Sequence, residues 1–132
     1  FLGTAVELYR ITGDAVYLND AQKIASYTIT KCIDASNNIL RDEGDGDGAL
    51  FKGIFIRYFV DYLTLEGINP LYRTKFENFL VNNGKVAWNR GNDHNVLLFS
   101  KSWSEIPVGN TKLTSQTSAA MLFEGLVRHS KF

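Results

Sequence analysis

The chain has 132 residues, 45% of them hydrophobic, which suffices for one moderate core. Its 14 basic and 14 acidic residues cancel, which argues against the basic footprint of a nucleic-acid partner. Charged or polar residues break every apolar run before the roughly 20 residues a membrane span needs, and nine phenylalanines with two prolines argue against disorder.

The chain reads as helix from its first residue, Phe1 to about Ile11. It has no initiator Met and no Ser, Thr, Asp or Asn ahead of this run to cap free N–H groups. Nor does it begin like a signal peptide, with a basic start and an unbroken apolar stretch. The expectation is a fragment whose upstream residues are missing. Gly13 stops the first helix. A second helix is expected over Tyr17 to Ile33, with Ala21, Ile24, Ala25 and Cys32 forming one apolar stripe and Lys23 and Thr30 lying off it. Cys32 is the sole cysteine, so no intrachain disulfide and no cysteine-based metal site are expected.

The third helix, about Ala49 to Glu66, differs in kind. Phe51, Ile54, Phe55, Ile56, Tyr58, Phe59 and Tyr62 leave little room for water, so it should be buried on most sides. Asn69-Pro70 opens a fourth helix as cap and first-turn proline. It runs to about Asn83, with Tyr72, Phe76, Phe79 and Leu80 on one stripe. The fifth starts near Ser115 and carries Ala119, Leu122, Phe123, Leu126 and Val127. No period-2 strand stands out beyond a short exception at Asn95 to Phe99. Fully buried helices alternate with half-buried ones, which suggests an all-α arc of helical hairpins, an inner ring wrapped by an outer one. A five-helix bundle fits the periodicity equally.

Two long loops, Asp34 to Gly48 and Arg90 to Thr114, each lead into a buried helix and should meet at one end of the arc. Loops of that length are uncommon unless functional or disordered, so a site is expected there. In the first loop Asp45 and Asp47 alternate as in a calcium loop, but Ala49 takes the third ligand position. A solvated loop with Asp47 capping the next helix is favoured over a metal site. Lys52 falls away from the polar side of the third helix, marked by Arg57, Asp61 and Thr64 on a helical wheel. It points to the buried side at the helix mouth, either in a polar site or snorkelling past the helix end.

Trp88 and Trp103 are candidate sugar platforms, because pyranose C–H faces stack on indole. Trp88 reads as a packing residue at the end of the fourth helix, and Trp103, in a polar loop, is the better candidate. Gln116 can donate and accept, as hydroxyl recognition requires, or it can pair within the helix start. His94 and His129 make neither a metal site nor a triad, no nucleophile elbow or phosphate loop is present, and no cofactor is expected. The one adjacent acidic pair is Asp42-Glu43, whereas glycosidases usually use two carboxyl groups flanking the scissile bond. That pair, in a flexible-looking loop, is not expected to be catalytic.

Several segments resemble glycoside hydrolase family 76, the α-1,6-mannanases. These are Phe1-Leu2-Gly3-Thr4-Ala5, Thr12-Gly13-Asp14 with Tyr17-Leu18, and above all the run from Gly46 through Asp47, Phe51 and Lys52 to Tyr58. Trp88-Asn89-Arg90, Trp103 and Leu113 to Ala119 follow in order. The resemblance implies an (α/α)6 toroid, with residues 1–132 as the C-terminal part of one domain, and endo-hydrolysis of α-1,6-linked mannan with retention. Fungal relatives act in cell-wall assembly, which implies a secreted or cell-envelope location. The family's neighbouring catalytic aspartates belong to a Trp-rich stretch before the matched region, so no residue here inherits a catalytic role. Asp47, Phe51, Lys52 and Gln116 carry over as site-lining positions, joined by Trp103. The expected partner is α-mannan, together with self-association through uncovered apolar surface. Another helical-toroid hydrolase or isomerase and a noncatalytic helical module remain open.

Overall fold

The computed structural model describes residues 1–129. Five helices dominate: α1 (Leu2–Thr12), α2 (Ala15–Lys31), α3 (Gly48–Leu63), α4 (Pro70–Asn89) and α5 (Leu113–His129). Local chemistry sets their ends. Gly13 adopts φ 69°, a left-handed conformation that glycine takes without Cβ strain, and donates to the Tyr9 carbonyl at 2.8 Å. Asp14 then caps α2 by accepting the Val16 N–H at 2.9 Å. Asn69 caps α4 in the same way at Leu71, with Pro70 behind it. The carbonyls at the end of α3 and just beyond it are met from the next helix: Arg73 donates to Leu63 and Leu65 at 2.6 and 2.7 Å.

α4 continues six residues past the expected end at Asn83, to Asn89. Gly84 lies inside this helix, where the Leu126 side chain of α5 occupies the space a Cβ would take.

α1, α3 and α5 form the inner layer and run parallel. Gly53 of α3 abuts Ser118 of α5, and two turns on Gly125 of α5 abuts Val60 of α3. On the other side Gly3 meets the Tyr58 ring, and Arg10 reaches Thr64 Oγ1 at 3.1 Å. α2 packs on α1, and α4 packs on α5 and α3, as the outer layer. Phe59 of α3 meets Phe76 and Phe79 of α4 edge-on, at centroid distances of 5.5 and 6.3 Å, a geometry that adds to area burial. This is part of an (α/α) toroid, as expected.

The burial contrast holds in part. α3 buries eight of its 16 residues, whereas α2 buries only Ala21, Ala25 and Ile29. α4 and α5 bury six residues each, of 20 and of 17, so α5 is the more buried by only a small margin. One flank of α5 is open, with Leu113 and Val127 exposed, while α4 is wedged between α3, α5 and a hairpin. α3 is also less enclosed than its sequence suggested, since Phe51 and Tyr58 are exposed.

The long loops contain two short antiparallel hairpins. β1 (Ile33–Asp34) pairs with β2 (Ile39–Leu40), and β3 (Asn92–Asp93) with β4 (Leu98–Phe99). The expected strand at Asn95 to Phe99 survives only in its last two residues. Strands two residues long leave no alternation to read. Among the described residues no helix is long and apolar enough to cross a membrane.

Candidate functional site

Both hairpins and their loops stand at the N-terminal mouths of the inner helices. Because Gly53 abuts Ser118, Lys52 of α3 and Gln116 of α5 lie at the same end of the arc, as the convergence of the long loops required. Free helix N–H groups and the positive ends of helix dipoles also point that way.

Lys52 is the centre of this end. It is 2% exposed, its Nζ lies 4.7 Å from the centroid of the Trp103 ring, and it donates to the Lys101 carbonyl. Burial pulls its pKa down to about 8, against the opposing charges of Asp42 and Glu43. It is therefore a desolvated cation held over an aromatic face, the arrangement in which cation–π attraction is strongest. It also borders a cleft of about 190 Å³ with Phe51, Phe55, Arg41 and Glu43 on its walls and Thr28, Cys32 and Leu40 behind them. Phe51, 54% exposed, offers a ring face at that cleft.

Trp103 departs from expectation. The platform inferred from its polar neighbours is fully buried, at 0% exposure. Its loop passes so close to Gly91 that a Cβ there would lie 2.6 Å from the Trp103 carbonyl oxygen. Ser102 and Ser104 are half-buried and bond to each other at 3.1 Å, while the indole between them lies in the core. Trp103 supports Lys52 rather than presenting a face to solvent.

Gln116 is also engaged within the protein. Its Oε1 accepts the Phe99 N–H at 2.9 Å, and its Nε2 donates to the Phe99 carbonyl at 2.7 Å. The side-chain amide thus pairs with β4 as a strand residue would. Asp47 immediately precedes α3 but has helical dihedrals and caps nothing with its side chain. Its carboxylate is exposed and has no partner among the described residues, so it stays available.

Lys101 and Lys112 belong to the site end and were not anticipated. Lys101 Nζ lies 3.3 Å from Asp45 and 3.9 Å from Asp42, and Lys112 lies 3.9 Å from Asp45. These exposed pairs clasp one long loop to the other, each contributing no more than roughly 1 kcal/mol. The pattern of acids in one loop and lysines in the other, far apart in sequence, was the available signal. Asp42 thus faces Lys101, and Glu43 faces Arg41 at 3.9 Å. Each carboxylate has its own cation. Phe51 and Lys52 share the walls of one cleft, while Asp47, just ahead of α3, is not among the residues lining it.

The sequence pattern of glycosyl hydrolase family 76 matches residues 1–131. Among solved structures, the GH76A α-1,6-mannanase from Salegentibacter sp. HEL1_6 is 32% identical with a TM-score of 0.91, over 96% of this chain and 37% of that one. A variant of that enzyme, inactivated by replacing two consecutive aspartates with alanine and bound to α-1,6-mannotetrose, is 33% identical. It matches with a TM-score of 0.88, over 94% of this chain and 36% of that one. The Lin0763 protein of Listeria innocua is 32% identical with a TM-score of 0.85, over 98% and 35%. A search of curated protein sequences gave no match. The chain thus spans about 37% of the length of the mannanase it resembles.

Proposed function

The chain belongs to glycosyl hydrolase family 76, and from that premise we propose that it forms part of an enzyme hydrolysing α-1,6-linked mannan. In this reading residues 1–132 are the C-terminal part of one (α/α)6 domain. They supply one wall of the sugar cleft at the inner-helix mouths. The observation that carries it is the 32% identity and TM-score of 0.91 with an α-1,6-mannanase over 96% of the chain.

Lys52, Asp47 and Phe51 are the sugar-contacting groups: an ammonium donor, a carboxylate acceptor and a ring face. Trp103 and Gln116 act through others, the first by holding Lys52 and the second by fixing β4. Below pH 8 Lys52 is charged, and a hydrogen bond from a charged donor to a sugar hydroxyl contributes roughly 1.5–3 kcal/mol.

The chemistry comes from outside these residues. Retaining glycosidases place two carboxyl groups about 5–5.5 Å apart, one as nucleophile and one as acid and then base. The sequence holds no two consecutive aspartates, and replacement of such a pair gives an inactive form of the similar mannanase. Residues 1–132 alone therefore do not turn over mannan. The test is to follow the complete polypeptide acting on linear α-1,6-mannan by proton NMR. The first-formed reducing sugar is the α anomer under this proposal. A β anomer would end the retaining mechanism, and inertness towards mannan with activity on another glycan would end the substrate assignment.

A further inference from the structure

The segment from Asp42 to Gly46 is anchored by backbone hydrogen bonds just outside its two ends. Before it, the Arg41 N–H donates to the Cys32 carbonyl at 3.2 Å, and after it the Asp47 carbonyl accepts the Leu50 N–H at 3.0 Å at the start of α3. Between those anchors the segment folds on itself. Gly44 N–H donates to Asp42 Oδ1 at 2.9 Å, and the Glu43 carbonyl stands where a Cβ on Gly48 would lie. Gly44 and Gly46 sit at φ 90° and 63° with open space where a side chain would be. A glycine backbone in that setting changes conformation at little steric cost.

The links from this segment to the second long loop are ionic. Lys101 Nζ reaches Asp45 at 3.3 Å and Asp42 at 3.9 Å, and Lys112 Nζ reaches Asp45 at 3.9 Å. Both lysines and Asp45 are exposed enough for these pairs to be weak and to yield to salt. Lys101 acts in two directions. Its backbone carbonyl accepts the Lys52 ammonium, and its own ammonium holds the acids of the segment. The segment also walls the Lys52 cleft, where Glu43 stands with Arg41, Cys32 and Lys52. Asp42 and Glu43 are the charges that favour the protonated form of Lys52.

We infer that residues 42–46 are a strap over the Lys52 cleft, latched shut by Lys101 and Lys112 and flexing at Gly44 and Gly46 to open it. Lys101 is then a positioning residue, which holds the strap and Lys52 in a fixed relation. The inference concerns access to the cleft and does not rest on mannan hydrolysis.

The test uses the complete polypeptide without sugar and the native thiol of Cys32, which is half-buried and lines the cleft. Its modification by N-ethylmaleimide, an uncharged reagent, is followed by peptide mass. Raising NaCl from about 0.01 M to about 1 M shortens the Debye length from roughly 30 Å to roughly 3 Å. Cys32 then labels about fivefold faster, the change that losing one good exposed ion pair produces. Lys101→Met, whose backbone carbonyl still serves Lys52, labels at the faster rate already in low salt and loses the salt dependence. Lys101→Arg returns to the native rate. Lys23→Met, which breaks an exposed pair on α2, labels as the native protein does. The sign separates a strap from a change in thiol ionisation, since removing a nearby cation disfavours the thiolate and slows labelling. Native labelling that does not respond to salt overturns the inference without recourse to a variant. So does Lys101→Met labelling no faster than the native protein in low salt.

Discussion

The Lys52 ammonium and the Trp103 indole, far apart in sequence, form one unit: Nζ sits 4.7 Å from the ring centroid while both residues are almost fully buried. A cation removed from water there has the ring, one carbonyl and two nearby acids as compensation. The arrangement is therefore sensitive from both sides.

Removing the ring should be costly. Trp103→Ala takes the largest fully buried side chain out of the core and uncovers a buried charge. It should destabilise the complete protein by about 3–5 kcal/mol, measured by urea denaturation, with Trp103→Phe costing distinctly less. A loss below about 1 kcal/mol for Trp103→Ala would show that the indole is not a core residue.

Lys52 should also imprint a pH dependence. Its folded pKa of about 8 lies below the ordinary lysine value of 10.5, so between those values the unfolded chain binds more protons than the folded one. Stability therefore rises with pH across that window, and the cost of burying the charge, present in full below pH 8, is progressively relieved. The complete relief is on the order of 3 kcal/mol. Tyr62, whose pKa burial raises to about 12, acts in the opposite sense above pH 10, so the comparison is best made between pH 8 and 9.5. The native protein should gain stability over that interval relative to Lys52→Met. Parallel pH profiles for the two proteins would contradict the buried-cation assignment.

Gln116 should behave as a structural residue. Gln116→Ala leaves the Phe99 N–H and carbonyl without their partner, at a cost of roughly 1–3 kcal/mol. Gln116→Glu retains the acceptor but sets a carboxylate oxygen against the Phe99 carbonyl, so it should not rescue stability. Thermal melts of both variants check this, and full rescue by Glu would overturn the paired-amide geometry.

The helical plan was legible because it is written in long patterns. The apolar stripe of α2, the Asn69-Pro70 start of α4 and the Gly13 stop are local and strong. The position of Lys52 at a helix mouth also followed from the wheel alone. What could not be read depended on contacts distant in sequence. The last turns of α4 include Gly84, whose vacant side Leu126 fills, and Trp103 looks exposed among serines until its loop folds over Gly91. The free amide of Gln116 in sequence is taken by Phe99, 17 residues earlier. The hairpins escaped because two-residue strands have no period, although Asp34 and Asp93 each mark the same turn.

The most direct test of the account is the kcat/KM of the complete polypeptide on an α-1,6-mannan oligosaccharide, compared for Lys52→Ala and Lys23→Ala. Lys52→Ala should lose roughly tenfold to a hundredfold, the equivalent of one charged hydrogen bond. Lys23→Ala, exposed on the outer helix α2 and paired with Asp20, should match the native rate. Native-like turnover by a correctly folded Lys52→Ala enzyme would contradict the placement of the sugar cleft at the mouths of the inner helices.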